Sequence, residues 1–308
     1  MEKSLKITGF LLLASCVILS SCLKDSPLTL DTAQTNNVTE FANTGSIATL
    51  PSGSAASRFS IDLGSLKVGD TASFKVNVDY AGADMAPQDI SVVIDVDHSL
   101  LETYNEEHSV DGANYLAPPD DLITANFPIT LVIPKGQQFA QTVIPVKLPA
   151  DFDFNATYAL PLKITSTSTG IISGNFGAAL YALNVRNIYD GVYDINGYIL
   201  REGDPVLSGN YSGYQVSMTT SGPFSIQYDH HPWADGSSVG GIDGLTLTIN
   251  PTTNKVTVSC VTNPAVVNAP NYDSRYDPAS KTFFVSYYWG AGPTNRAATD
   301  TLVYNGPR

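Results

Sequence analysis

Apolar side chains recur at every second position over long stretches of this chain. Phe74, Val76, Val78 and Tyr80 fall on one face of an extended segment, as do Ile90, Val92 and Ile94, and later Tyr158, Leu160, Leu162 and Ile164. A period of two predicts half-buried strands, because successive strand side chains point to opposite faces. Runs 129–133, 142–148 and 178–185 read the same way, with turn signals at 134–136 (Pro-Lys-Gly) and 173–175 (Ser-Gly-Asn) between them. About seven short strands predict an Ig-like or adhesin-like β-sandwich. One interruption is expected, a short helix carrying Leu100, Leu101 and Tyr104, capped by the Asp97 carboxylate and ended by Asn105.

After Asn187 the pattern restarts. Alternating runs at 193–200, 214–220, 224–228, 245–249, 255–261, 282–289 and 299–304 make the second half all-β as well. Two links, 250–254 (Asn-Pro-Thr-Thr-Asn) and 277–280 (Asp-Pro-Ala-Ser), preset hairpin turns. Sequential hairpins predict an antiparallel meander that closes as a barrel or a sandwich. The two halves thus read as a sandwich over 58–187 and a C-terminal β-domain over 188–308.

The first 57 residues break the pattern. Lys3 and Lys6 precede an uncharged apolar run at 7–19, followed by Leu19-Ser-Ser-Cys22. A spanning helix needs roughly 20 apolar residues. A shorter run with positive charge before it and small residues after it is a cleaved export signal, here 1–21. Leu-Ser-Ser-Cys resembles a lipobox, so Cys22 is expected to carry the lipid and become the new N-terminus. Two or more acyl chains anchor a protein stably. Residues 22–57, rich in Ser, Thr, Asn, Ala and Gly, are expected to form a flexible tether.

The formal charge of −13 and the absence of a Lys/Arg cluster outside the signal leave no electrostatic footprint for nucleic acid. With Cys16 in the signal and Cys22 lipidated, Cys260 has no cysteine to pair with, and its strand-like setting predicts a packed small hydrophobe.

Catalytic signatures are weak. Gly236-Ser-Ser-Val-Gly240 matches the spacing of a nucleophile elbow but lacks the strand before and helix after that the elbow requires. His98, His108, His230 and His231 show no paired metal-ligand spacing, and Asp95-Val-Asp97 lacks the rest of a calcium loop. Glycoside hydrolysis uses two carboxyl groups, and the second half has a single glutamate, Glu202. No catalytic residue, metal ligand or cofactor is assigned from the sequence. Asp31, Asp70 and Asp300, each followed by Thr, resemble O-glycosylation sequences of exported proteins, although Asp300 reads as strand.

Aromatic residues are the remaining signal, since sugars stack their C–H faces on rings while polar neighbours hold the hydroxyls. Trp233 in the loop-like Tyr228-Asp-His-His-Pro-Trp-Ala-Asp235 is the leading candidate, with Tyr228, His231 and Asp235 beside it. Tyr272 and Tyr276 could line the same rim. In 282–289 both faces carry aromatics, so Tyr288 or Trp289 could be open to a ligand, with the core as the other place for Trp289.

The order of several pieces resembles a family. Leu101-Glu-Thr-Tyr-Asn105, Leu131-Val-Ile-Pro-Lys-Gly136, Val143-Ile-Pro-Val146 and Tyr158-Ala-Leu-Pro-Leu-Lys-Ile164 resemble an N-terminal β-sandwich of unknown function found in Bacteroides-type surface lipoproteins of glycan-utilisation systems. Tyr189-Asp-Gly-Val-Tyr193 and Asp300-Thr-Leu-Val-Tyr304 resemble a C-terminal β-domain that often follows it. The resemblance implies a protein lipid-anchored in the outer membrane and facing outward, which captures extracellular polysaccharide without catalysis. It also implies a working partnership with an outer-membrane glycan importer. A structural adhesin or assembly subunit with protein partners, and a glycosidase, remain the alternatives.

Overall fold

A computed structural model describes residues 36–42 and 56–308. Cys22, the export signal and most of the expected tether lie outside the described residues.

The first unit is a sandwich of two sheets. One runs in the order β7 (Phe139–Lys147), β3 (Thr71–Ala81), β1 (Val38–Ala42), β9 (Ile171–Ile172). The other runs β2 (Ser57–Ser65), β10 (Ala178–Arg186), β8 (Thr157–Thr167), β4 (Ile90–Val96), β6 (Ile129–Ile133), with β5 (Tyr115–Leu116) also beside β8. Phe74, Val76 and Val78 meet Ile90, Val92, Ile94, Leu160 and Leu162 in one core. Inner faces that alternate with polar outer ones are what such packing requires.

Two features depart from the sequence reading. The expected tether contains β1, which pairs with β3 and buries Phe41 against Tyr181 in the core. A five-residue strand with one inward aromatic is too short to stand out in a polar stretch. Strands β8 and β10 are covered on both faces rather than half-buried. The reason is α1 (Ser99–Glu107), whose Leu100, Leu101 and Tyr104 pack on Ala159, Leu180 and Ala182 of the outer face. Small side chains there let the helix approach. Asp97 is not the cap: His98 holds the N-cap position with no side-chain capping bond, while Asp97 just before it accepts from the Ser99 amide at 3.2 Å and the Ser99 hydroxyl at 2.6 Å. Asn105 does not end the helix. Its amide brackets the Tyr115 backbone instead, donating to the carbonyl at 2.9 Å and accepting from the N–H at 2.8 Å.

The second unit is an antiparallel meander. Strands β11 (Gly191–Arg201), β12 (Gly209–Gly222), β13 (Ser225–Tyr228), β14 (Leu245–Ile249) and β15 (Val256–Cys260) pair in sequence. β16 (Val267–Asn268), β17 (Arg275–Asp277), β18 (Thr282–Trp289) and β19 (Arg296–Gly306) bring the chain back, and β19 pairs with β11. The link 250–254 is the expected hairpin turn, with the Asn250 carboxamide accepting from Thr252 and Thr253 and Asn254 left-handed at φ 56°. A side chain closes the barrel seam: Asn268 accepts from the Val258 N–H at 2.8 Å and donates to the Val256 carbonyl at 3.0 Å. It thereby satisfies backbone groups that an open edge would leave unpaired. Cys260 is buried in this core.

The two cores divide between Val185 and Tyr189. Asn187, 1 % exposed, donates to the carbonyls of Gly222 and Ser225 at 2.8 Å each. Arg186 pairs with Asp62 of the first unit at 2.8 Å and donates to the Arg308 carbonyl at 3.0 Å. The buried Asp190 carboxylate accepts from Thr220 and from Arg308.

Candidate functional site

The aromatic residues expected to form an exposed platform on the second unit are mostly inside it. Trp233 is 5 % exposed, Tyr228 3 %, His231 2 %, Tyr276 7 % and Trp289 0 %. The sequence reading of Trp233, Tyr228, His231 and Tyr276 as ligand-facing is corrected by their burial in the barrel core, Trp289 takes the core place that was its other expectation, and Tyr228 and His231 surround a carboxylate. Asp300, fully buried, points into the barrel in phase with Ala298 and Leu302. Its carboxylate accepts from the hydroxyls of Tyr211, of Tyr287 at 3.2 Å and of Tyr228 at 3.4 Å, with His231 Nε2 at 3.0 Å. A buried carboxyl group costs free energy unless its oxygens are hydrogen-bonded, and these four side chains surround them. Burial and the adjacent carboxylate push the Tyr228 and Tyr287 phenols well above their ordinary pKa, so they remain donors.

Trp233 lies against Trp289, ring centroids 6.2 Å apart, and the Arg201 guanidinium covers it at 5.7 Å. Tyr276 packs on Tyr189 and Phe283 at 5.0 and 4.6 Å. The other three predicted residues reach solvent, but from three separate segments. Tyr288 is half-buried on β18, Tyr272 is 36 % exposed between β16 and β17, and Asp235 is exposed after β13, where it accepts from Ser237. Among the described residues no group of three or more His, Cys, Asp or Glu is placed to hold a metal ion.

A concave surface that combines several rings with polar groups is on the first unit. A cleft of about 440 Å³ is lined by Arg58, Tyr104, His108, Tyr115, Asn155 and Thr157, among others. The fold explains the convergence. In the β2 and β10 register, Arg58 opposes Leu180, Ser60 opposes Ala182 and Asp62 opposes Asn184, which puts Arg58, Ser60 and Asp62 on the outer face. The last turn of α1 supplies Tyr104 and leads into His108, while the Asn105 bracket holds Tyr115 on β5, itself paired with β8 at Thr157. Tyr104 sits 4.4 Å from the His108 ring and 5.8 Å from Tyr115, centroid to centroid. Arg58 Nη1 donates to the Tyr115 hydroxyl at 3.3 Å. Burial raises the Tyr104 phenol pKa, and the positive charge of Arg58 partly opposes that rise.

Asn155, Ala156 and Thr157 also line a second hollow of about 490 Å³, which continues past Asn184 and Arg186 to Thr220 and Arg308 of the barrel. The two hollows therefore share a wall and run along the outer face of β2, β10 and the start of β8. A larger depression of about 850 Å³ beside Lys147, Asp120 and Asp151 has no aromatic ring in its lining. Sequence reasoning missed the Arg58 cleft altogether. The available signals were the arginine in phase with outward positions of β2 and Tyr104 within the 101–105 motif.

Residues 41–171 match a family model described as an N-terminal domain. No curated protein matches the chain. Among solved structures, a Bacteroides ovatus protein of unknown function matches with a TM-score of 0.52 at 17 % identity, over 88 % of this chain and 95 % of that one. A multidomain Bacteroides ovatus protein including DUF1735 matches at 16 % identity over 86 % and 92 %, with a TM-score of 0.43. An auxiliary nutrient binding protein from Bacteroides thetaiotaomicron matches at 15 % identity over 80 % and 89 %, also with a TM-score of 0.43. The pieces 101–105, 131–136, 143–146 and 158–164 that carried the sequence resemblance all fall inside the matched segment. Residues 41–171 of the first β unit thus resemble this N-terminal domain family, and over 88 % of its length the chain shares its fold with the Bacteroides ovatus structure matched at 0.52.

Proposed function

We propose that the protein is a surface lipoprotein, held in the outer membrane by lipid on Cys22, that binds an extracellular polysaccharide without cleaving it. Binding takes place in the groove on the first unit, and the protein works as an accessory to glycan uptake beside an importer. The observation that supports this most strongly is the cleft itself, where Tyr104, His108 and Tyr115 stand next to Arg58, Asn155 and Thr157. Rings offer flat apolar surface to the C–H faces of a sugar, and planar amides and guanidinium groups pair with its hydroxyls.

A glycosidase would need two carboxyl groups flanking the scissile bond, roughly 5 to 9.5 Å apart. Among the described residues, Asp111 is the single carboxylate in the lining of this cleft. That favours holding a glycan over hydrolysing one.

Affinity gels and calorimetry with the full-length protein and a panel of polysaccharides test the reading. Binding by one class, lost in Tyr115→Ala, supports it. If no polysaccharide binds, and the protein instead captures a surface protein of its own cell, the adhesin alternative replaces it. The anchoring is tested separately, since Cys22→Ala should abolish palmitate incorporation and release the protein from membranes.

A further inference from the structure

We propose that the cleft selects glycans bearing an acidic substituent, a uronate carboxylate or a sulfate ester, with Arg58 as the group that receives the anion. The inference rests on the glycan-binding reading above and names the substrate class for that site.

In a chain with 29 acidic and 16 basic residues, a guanidinium has many carboxylates to pair with. Four of the six arginines do so: Arg186 with Asp62 at 2.8 Å, Arg308 with Asp190 at 2.8 Å, Arg201 with Asp204 at 3.9 Å and Arg275 with Asp273 at 4.0 Å. Arg58 and Arg296 have no carboxylate within 4.0 Å among the described residues. Of these two, Arg58 lines the cleft, where it is half-buried.

Among the described residues, no carboxylate lies within 4.0 Å of the Arg58 guanidinium to meet its charge. Its hydrogen bond goes to the neutral hydroxyl of Tyr115, and the Tyr104 phenol lies beside it. Asp111, the one carboxylate among the described residues of the lining, is 3.6 Å from His108 Nδ1 with its side chain 77 % exposed. A guanidinium carries five N–H donors in a planar fork and keeps its charge throughout the physiological range. Such a fork matches the two oxygens of a carboxylate or sulfate, and these charge-assisted pairs are about twice as strong as neutral ones. Partial burial strengthens the attraction further by reducing the screening that water and salt provide. Asn155 and Thr157 in the same lining are polar partners for the neutral hydroxyls of the same sugar.

The experiment measures the full-length protein against polygalacturonate, its carboxyl-reduced neutral form, a sulfated galactan and its desulfated form. The expected result is binding to at least one acidic polymer, weakened about tenfold or more when its charge is removed. Arg58→Ala should weaken it to a similar extent, Arg58→Lys should lie between, and Arg296→Ala should leave it unchanged. Which acidic polymer binds separates uronate from sulfate. Equal binding of a charged polymer and its neutral form overturns the proposal while leaving glycan binding intact. Full acidic-glycan affinity in a folded Arg58→Ala protein overturns it too. Absence of binding to every polymer, acidic or neutral, defeats the glycan reading itself. Should Arg58→Ala fail to fold, the charged and neutral polymers compared on the unaltered protein decide the matter.

Discussion

The barrel interior and the first-unit cleft are built from the same side chains, tyrosines and a histidine around one charged group, yet they are opposite kinds of site. In the barrel, three phenols and His231 converge on Asp300, and every partner comes from the protein. In the cleft, Arg58 is met by two neutral phenols and opens onto a hollow of about 440 Å³. Composition does not distinguish a structural polar core from a binding site. What does is whether the hydrogen-bonding capacity of the group at the centre is already filled by side chains that cannot leave.

The largest test of that contrast removes Asp300. Asp300→Ala strands three buried hydroxyls and an imidazole, each costing about 1 to 3 kcal/mol. The barrel's calorimetric unfolding transition should disappear or fall steeply, and a barrel of unchanged stability would mean that the cluster is not structural. Next comes Trp233→Ala, which should cost about 3 to 5 kcal/mol in denaturant unfolding, the range for a buried large aromatic. A variant that kept its stability while losing glycan affinity would restore Trp233 as a ligand-facing residue.

Tyr115→Ala should behave in the reverse way. It should weaken glycan binding about tenfold and alter stability by about 1 kcal/mol, since the ring is half-buried. Equal losses of stability and affinity would blur the distinction between the two regions.

The smallest effect concerns Asp79, on the outer face of β3 opposite Glu40. Burial, and secondarily the Glu40 charge, push its pKa up from 3.8 to about 6. The folded state therefore favours the protonated carboxyl, and the associated stability is present below pH 3.8 and lost as pH rises through about 6. Because the group is partly exposed, screening keeps the change to about 1 kcal/mol. Comparing the pH dependence of the midpoint with that of Asp79→Asn checks this, the variant being expected to lack that component.

What the sequence by itself determined was local and periodic. Alternation marked the strands, Asn250 and its neighbours marked a hairpin, and the apolar spacing of Leu100, Leu101 and Tyr104 marked the helix, because each depends on residues a few positions apart. Asp300 could have been recognised as inward from its phase with Ala298 and Leu302, but phase alone does not say that Tyr211, Tyr228, Tyr287 and His231 satisfy it. That assembly brings together residues as far as 89 positions apart. Only the tertiary structure decided that Trp233 is covered by Arg201 and Trp289 while Arg58, from the other end of the chain, meets Tyr115 across 57 residues. Exposure is set by which strands and loops close over a side chain, and those contacts are non-local. The same aromatic alphabet therefore spells core in one half of the molecule and cleft in the other.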